Sequence, residues 1–171
     1  KELGVEEVLC RTHAQENGYA LVTHVSGDRV FMGSNRGGPL REHPLALEAE
    51  DLEAIAPYAL LHTSNNSYLD GALARLAPLP TRISYDFSGA WRDTPRAREV
   101  CPYLDYAFLS LRPEEKPDLA SIAAAFHRMG VGCLVMTMGS EGAWYSSGGL
   151  LIHQAPHAVQ AVDTLGAGDS F

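Results

Sequence analysis

Helical segments and short apolar runs alternate four times along the chain from about Leu47 onward. The helical segments have apolar residues three or four positions apart, whereas the apolar runs are short and continuous, as in buried strands. The four predicted strands read ALLHTSN, RISYDFS, YAFLS and GCLVMTMG. Such repeats predict right-handed βαβ units and therefore an α/β fold, with a doubly wound, mostly parallel sheet and helices on both faces.

Two other segments have the pattern of β-hairpins. The first extends from Ala20 to Gly33 around a Ser26-Gly27-Asp28 turn, and the Gly- and Pro-rich loop SNRGGPLREHP follows it. The second reads AWYSSGGLLIHQA, with its turn at Ser147-Gly148-Gly149. Both have strand-forming residues on either side of a turn signal, which predicts two antiparallel pairs in addition to the parallel sheet.

Composition and charge exclude several classes of protein. The 171 residues fit one domain, and the formal net charge of −8 disfavours binding to nucleic acid, which needs a basic surface. We see neither an apolar stretch long enough to span a bilayer nor a secretory signal. Cys10, Cys101 and Cys133 are far apart and form no C-x-x-C pair, which indicates reduced thiols and a cytoplasmic location.

Polar residues follow each predicted strand, where ligands bind in parallel sheets. These positions include Asn65, Asp86, Ser110, Thr137 and Gly139. The closing segment VDTLGAGDSF, with two aspartates around a Gly-Ala-Gly turn, is expected at the same edge. This convergence predicts the ligand site of the protein.

The closing turn has the chemistry of a phosphate site. In Gly166-Ala167-Gly168 the small residues allow backbone N–H groups to point into one concavity, which binds a phosphate oxygen. Asp169 then follows as a general base, and Asp163 as a carboxylate that caps the turn or holds a cation. From the residues alone, a tight loop with an N-cap is the alternative.

The complete run DTLGAGDSF resembles the second signature of the PfkB family of carbohydrate kinases, which have the ribokinase-like fold. LVMTMGSEGAWY resembles the family's strand and T-x-G-x-x-G nucleotide loop. The resemblance implies an ATP-dependent transfer of phosphate to a sugar hydroxyl. SYDFSGAW and LDYAFLS are most similar to members that act on the 6-hydroxyl of fructosamines such as fructoselysine. The alternatives are a member acting on ribose, 2-keto-3-deoxygluconate or a nucleoside, and a non-catalytic protein that binds a nucleotide or sugar.

The resemblance also implies a role for individual residues. Asp169 would be the base, and the N–H groups of Gly166, Ala167 and Gly168 would form the anion hole for the transferred phosphoryl group. The nucleotide would contact Ser110, Thr137, Gly139 and Gly142, and the sugar would contact Asn65, Asp86 and Asp169. For Arg36, in the loop after the first hairpin, the residues leave two alternatives: contact with the carboxylate or hydroxyls of the substrate, or a solvated arginine. Asp163 and the Leu165 carbonyl would hold a monovalent cation such as K⁺, and Glu114 would bind Mg²⁺.

The sequence departs from the family pattern in three places. The N-x-x-E motif is replaced by SLRPE, with Ser110 and Glu114, and D-x-N-x-R is replaced by DFSGA, which retains Asp86. The N-terminal Gly-Gly motif is missing, so the resemblance predicts an internal fragment. Residues 1–40 would then be part of a β lid, residues 41–171 an incomplete nucleotide-binding core, and the whole protein a homodimer through its lids.

Overall fold

The computed structural model describes residues 10–25 and 28–158, together with Gly4, Glu6 and Val8. The strands are β1 (Ala20–Val25), β2 (Asp28–Ser34), β3 (Leu60–Ser64), β4 (Arg82–Ser88), β5 (Tyr106–Ser110), β6 (Cys133–Thr137), β7 (Ala143–Ser147) and β8 (Leu150–Gln154). The α-helices are α1 (Pro39–Glu42), α2 (Ala49–Ile55), α3 (Leu73–Leu76), α4 (Thr94–Val100) and α5 (Leu119–Arg128). Short 3₁₀ helices occupy Asp70–Ala72, Gly89–Arg92, Cys101–Tyr103, Pro113–Asp118 and Gly139–Glu141.

The larger sheet has the order β3-β4-β5-β6-β7-β8. Its first four strands are parallel, and the last two are antiparallel to their neighbours. Gly148 and Gly149 make the turn between β7 and β8 with φ of 56° and 83°, a conformation that suits glycine in a two-residue hairpin. The predicted mostly parallel α/β sheet and the second hairpin are confirmed.

One face of this sheet carries the hydrophobic core. Tyr85 and Phe87 of β4 are fully buried, with ring centroids 4.5 Å apart, and Phe87 meets Phe126 of α5 edge to face at 5.5 Å. The strands follow one another in sequence, and parallel crossovers are right-handed, so their connecting helices pack on the same face. A second helical layer on the other face stays a prediction.

The helices begin and pack as their sequences dictate. α5 buries Leu119, Ala123 and Phe126, which are four and three positions apart and therefore form one apolar stripe. α4 begins at the Asp93 cap, whose carboxylate accepts a hydrogen bond from the N–H of Arg96 at 3.4 Å. These two helices connect β4, β5 and β6, and so they fix the spacing of the strand ends that form the site.

The first hairpin forms a separate two-stranded sheet, β1 with β2, as predicted. Three large apolar residues of this hairpin are more than half exposed, namely Leu21 (57%), Phe31 (69%) and Met32 (66%). The pairing of lids in a homodimer stays a prediction. The predicted loop after the hairpin contains the short helix α1, because Pro39 at its first position has the fixed φ that starts a helix.

Two further observations concern membrane-spanning helices and the cysteine thiols. In the described part of the chain, no helix is long and apolar enough to cross a bilayer. Cys10, Cys101 and Cys133 are free thiols in the structure. Burial raises the pKa of the Cys101 thiol to about 12, so this group is protonated at neutral pH. The division into a lid in residues 1–40 and a core in residues 41–171 stays a prediction.

Candidate functional site

The ends of β3 and β4 bring two predicted substrate residues together. Ser64 pairs with Asp86 in the parallel register, and the N–H of Asn65 donates to the backbone carbonyl of Asp86 at 3.0 Å. The Asp86 carboxylate accepts hydrogen bonds from the N–H of Ser88 at 2.6 Å and from its hydroxyl at 3.0 Å. Ser88 has a φ of 47°, and sequence reasoning missed its role in holding the carboxylate.

Two polar atoms near this strand end have no hydrogen-bond partner among the described residues. They are Asn65 Oδ1 and Thr63 Oγ1, and both are buried. Buried polar atoms in folded proteins are nearly always hydrogen-bonded, so two buried atoms without a partner are an exception that indicates a contact with a ligand or water. The Asn65 amide has both a carbonyl acceptor and N–H donors, which is the chemistry that binds sugar hydroxyls.

The predicted nucleotide loop follows β6. Thr137 pairs with Ser110 in the register, and the Met138 N–H donates to the Gly142 carbonyl at 2.9 Å, which closes the loop. Gly139 and Gly142 have φ of 50° and 89°, in the left-handed region that favours glycine. The four predicted residues, Ser110, Thr137, Gly139 and Gly142, therefore lie along one edge of the sheet.

The two glycines of this loop have different surroundings. A Cβ on Gly142 would lie 2.2 Å from the carbonyl oxygen of Gln154, whereas a Cβ on Gly139 would meet no atom within 4 Å. Gly142 therefore allows the loop to pack closely against β8, and Gly139 borders open space. The sequence predicted both glycines but not this difference.

A cluster behind the loop was missed from the sequence. Lys116 and Glu141 form an ion pair at 2.6 Å, and the hydrogen bond from Lys116 lowers the pKa of Glu141. The His153 ring stacks on Trp144 at 4.4 Å, and its Nε2–H donates to the Glu141 carbonyl at 2.9 Å. These residues come from three separate segments, so no local sequence pattern could have indicated the cluster.

The two glutamates after β5, Glu114 and Glu115, both pair with arginines but differ in exposure. Glu115 is held by Arg92, whose hydrogen bonds lower the pKa of that carboxyl. Glu114 is 63% exposed and lies 3.2 Å from Arg112. In the described part of the chain, no three acidic, His or Cys side chains form a metal cluster. Mg²⁺ in kinase sites takes one or two carboxylates together with phosphate oxygens, and the exposed Glu114 carboxylate fits that chemistry.

The third predicted substrate residue, Arg36, lies in the connection between the hairpin and α1. The Tyr68 hydroxyl donates to the Arg36 carbonyl at 2.5 Å, and both residues have positive φ, 55° and 56° respectively. A Cβ on Gly37 would lie 2.3 Å from the Tyr68 ring, so only glycine permits this contact. The loop after β3 thereby fixes the base of the hairpin to the core, a role of Tyr68 that sequence reasoning missed.

The predicted closing motif lies outside the described residues. This concerns Asp163, Leu165, Gly166, Ala167, Gly168 and Asp169, which belong to residues 159–171. The base, the anion hole and the monovalent-cation loop therefore stay predictions. Of the other predicted residues, the structure joins Asn65 to Asp86 and Ser110 to Thr137 by strand pairing or backbone hydrogen bonds.

The chain is similar to known proteins in both sequence and fold. The pfkB family carbohydrate kinase model matches residues 1–171, and this chain belongs to that family. The chain is 40% identical over 157 residues to fructosamine kinase FrlD of Bacillus subtilis (strain 168), covering 91% of this chain and 55% of that protein. It is 34% identical over 144 residues to fructoselysine 6-kinase of Escherichia coli (strain K12), covering 84% of this chain and 53% of that protein.

A solved structure supports the fold assignment. The ribokinase of Arabidopsis thaliana complexed with ribose and ATP superposes with a TM-score of 0.71 at 19% identity, covering 92% of this chain and 54% of that one. At this identity the similarity shows the fold alone. The predicted ribokinase-like fold is confirmed, and the chain spans about half the length of the curated relatives it matches.

Proposed function

We propose that the full-length protein is an ATP-dependent kinase that phosphorylates a hydroxyl of a fructosamine, a sugar carrying an amine substituent. The observation that carries the proposal is the 40% identity to a fructosamine kinase over 91% of the chain. The polar edge formed by Asn65, Asp86, Ser110 and Thr137 supports it, because this is where ligands bind in such sheets. The 6-hydroxyl is the proposed acceptor, as the name of the Escherichia coli relative suggests.

In the proposed reaction the acceptor hydroxyl oxygen attacks the γ-phosphorus of ATP. Asp169 takes the hydroxyl proton, a bond forms between the sugar oxygen and phosphorus, and the bond from phosphorus to the bridging oxygen breaks to release ADP. The N–H groups of Gly166, Ala167 and Gly168 donate to the oxygens of the phosphoryl group in transfer. The Asn65 side-chain amide, at the end of β3 beside Asp86, contacts a sugar hydroxyl.

The remaining residues position the nucleotide and the cations. We assign Ser110, Thr137, Gly139 and Gly142 to contacts with ATP, since they form one edge beside the Gly-rich loop. Mg²⁺ supplies positive charge that offsets the charge of the phosphates, and Glu114 would hold it. Asp163 and the Leu165 carbonyl would hold K⁺, and they organise the turn that carries the anion hole.

The proposal is tested by ADP release from the full-length gene product with Mg²⁺ and ATP. The substrates are fructoselysine, fructosylglycine, ribose, fructose and 2-keto-3-deoxygluconate. We expect turnover on the fructosamines, and a loss in kcat of about 100-fold or more in Asp169→Asn. Asp118→Asn is the matched control, because this exposed aspartate makes no side-chain cap contact and its loss should leave kcat unchanged.

Two other results would replace the proposal. Turnover on ribose or the keto-deoxy acid alone would assign the protein to another sugar kinase of the family. Binding of ATP without turnover on any of the five sugars would indicate a protein that binds a nucleotide or sugar without catalysis.

A further inference from the structure

A large cavity lies between the first hairpin and the loop after β3. We name this the lid-base cavity, and its volume is about 980 Å³. Its walls include Phe31, Met32, Leu40, Arg36, Asn66 and Tyr68. Small-molecule sites commonly measure about 300–1,000 Å³, so the cavity has room for more than a sugar ring.

The apolar part of the wall is exposed in the structure. Phe31 and Met32 expose more than half of their surface, and Leu40 exposes 36%. These side chains lie beside the polar groups of Asn66 and Tyr68. The wall therefore suits a ligand with both an aliphatic segment and polar groups.

The charge of the cavity is unbalanced. Arg36 is the one charged side chain among the described residues that line it, and no carboxylate lines it with Arg36. In the described part of the chain the guanidinium has no hydrogen bond or ion pair, since the contacts of Arg36 are made by its backbone. A guanidinium binds a carboxylate through two parallel hydrogen bonds, so the cavity is complementary to an anion.

The backbone that presents Arg36 is held in place before any ligand binds. Its φ of 56° is uncommon for a residue with a side chain, and such strain persists only where the surroundings enforce it. The Tyr68 hydroxyl holds the Arg36 carbonyl, and the Arg36 N–H donates to the Ser34 hydroxyl at 3.2 Å. The Asn35 side chain ties this connection to the segment before β1: its Oδ1 accepts from the Tyr19 N–H at 2.9 Å, and its Nδ2–H donates to the Asn17 carbonyl at 2.8 Å.

We infer that the lid-base cavity binds the amine substituent of a glycated amino acid, and that Arg36 binds the carboxylate of that substituent. The inference rests on the proposed function and adds the chemical class of the substituent. The apolar wall contacts the aliphatic part of the amino acid, and the guanidinium selects substrates that carry a free carboxylate.

The test compares substrates that differ only in this carboxylate. Fructoselysine and fructosylglycine are each paired with their carboxamides, and kcat/KM is measured by ADP release for the full-length protein. Arg36→Gln removes the charge, and Arg36→Lys keeps it without the bidentate geometry. Arg41→Gln is the control, because Arg41 is an exposed arginine of the adjoining helix α1 and does not line the cavity.

We expect the wild-type protein to prefer at least one of the acids over its amide by about 10-fold or more. Arg36→Gln should lower kcat/KM for that acid by a similar factor while the amide changes by less than about twofold, and Arg36→Lys should lie between. Arg41→Gln should keep the wild-type preference.

Two results would overturn the inference, and they can be told apart. Equal turnover of acids and amides by the wild-type protein, or an equal loss for both in Arg36→Gln, would refute the role of Arg36 and leave the kinase proposal standing. Turnover of ribose or another sugar without turnover of any fructosamine would refute the proposed substrate, and the inference would fall with it.

Discussion

The two glycines of the nucleotide loop should respond differently to the same substitution. Gly139→Ala places a methyl group in open space, so its cost is that of a left-handed alanine, about 1–2 kcal/mol. Gly142→Ala has the same backbone cost and also places Cβ 2.2 Å from the Gln154 carbonyl oxygen. Carbon and oxygen atoms normally approach to about 3.3 Å, so the β8 backbone must move by roughly 1 Å.

That movement would disturb the pairing of β7 with β8. Ala143 pairs with Gln154, and the Gly142 carbonyl accepts the hydrogen bond that closes the loop. Loss of one or two such bonds costs about 1 kcal/mol each, which brings the total for Gly142→Ala to about 3 kcal/mol or more. Gly71→Ala is the matched control, because a Cβ there meets nothing and its φ is ordinary.

Urea unfolding of the three variants measures the difference, since the midpoint reports stability when the slope is unchanged. We expect Gly71→Ala to be the most stable variant, Gly139→Ala to be less stable, and Gly142→Ala to be the least stable. In the same variants we expect Gly139→Ala to raise the KM for ATP by about 10-fold, because its methyl group would enter the proposed nucleotide site. Equal midpoints for the two loop variants would refute the packing argument, and an unchanged KM in Gly139→Ala would refute the assignment of that glycine to ATP.

Two further predictions concern the core. Tyr85→Phe removes a 2.7 Å hydrogen bond to the Asp70 carboxylate, so urea unfolding should show that the free energy of unfolding falls by about 1.5–3 kcal/mol. A fall below about 0.5 kcal/mol, the size of a neutral surface change, would contradict the pairing. Iodoacetamide at pH 8 should alkylate the exposed Cys10 in the native protein, but it should alkylate Cys101 only after unfolding, because Cys101 is buried and its pKa is raised to about 12. Peptide mass analysis measures the labelling of both cysteines. Equal labelling of the two in the native protein would contradict the burial of Cys101.

The strands could be predicted from the sequence because strands buried in the core need short continuous runs of apolar residues. The run RISYDFS coincides with β4, and YAFLS coincides with β5. The loop after the first hairpin was predicted without its short helix α1, because a four-residue helix leaves no periodic pattern. The segment YLDGALARLAPL has the pattern of one helix, but α3 takes up only Leu73–Leu76 of it, because the 3₁₀ helix Asp70–Ala72 precedes α3.

The candidate site was predictable where residue type alone determines the chemistry. Asn65 and Asp86 could be placed at one edge because parallel strands end together. The contact of Tyr68 with Arg36, and the stack of His153 on Trp144, could not be predicted. Tyr68 and Arg36 lie 32 positions apart and have no characteristic spacing. The stack depends on the exact register of the second hairpin, in which Trp144 pairs with His153.

The measurement that tests the central claim most directly is ³¹P NMR of the reaction of the full-length protein with fructoselysine, Mg²⁺ and ATP. We predict a new phosphomonoester resonance that couples to the protons on C6 of the sugar and grows in step with ADP. The signal should be nearly absent in Asp169→Asn. A phosphomonoester that forms equally fast in that variant, or no phosphomonoester in the wild-type protein while ATP is bound, would contradict the account.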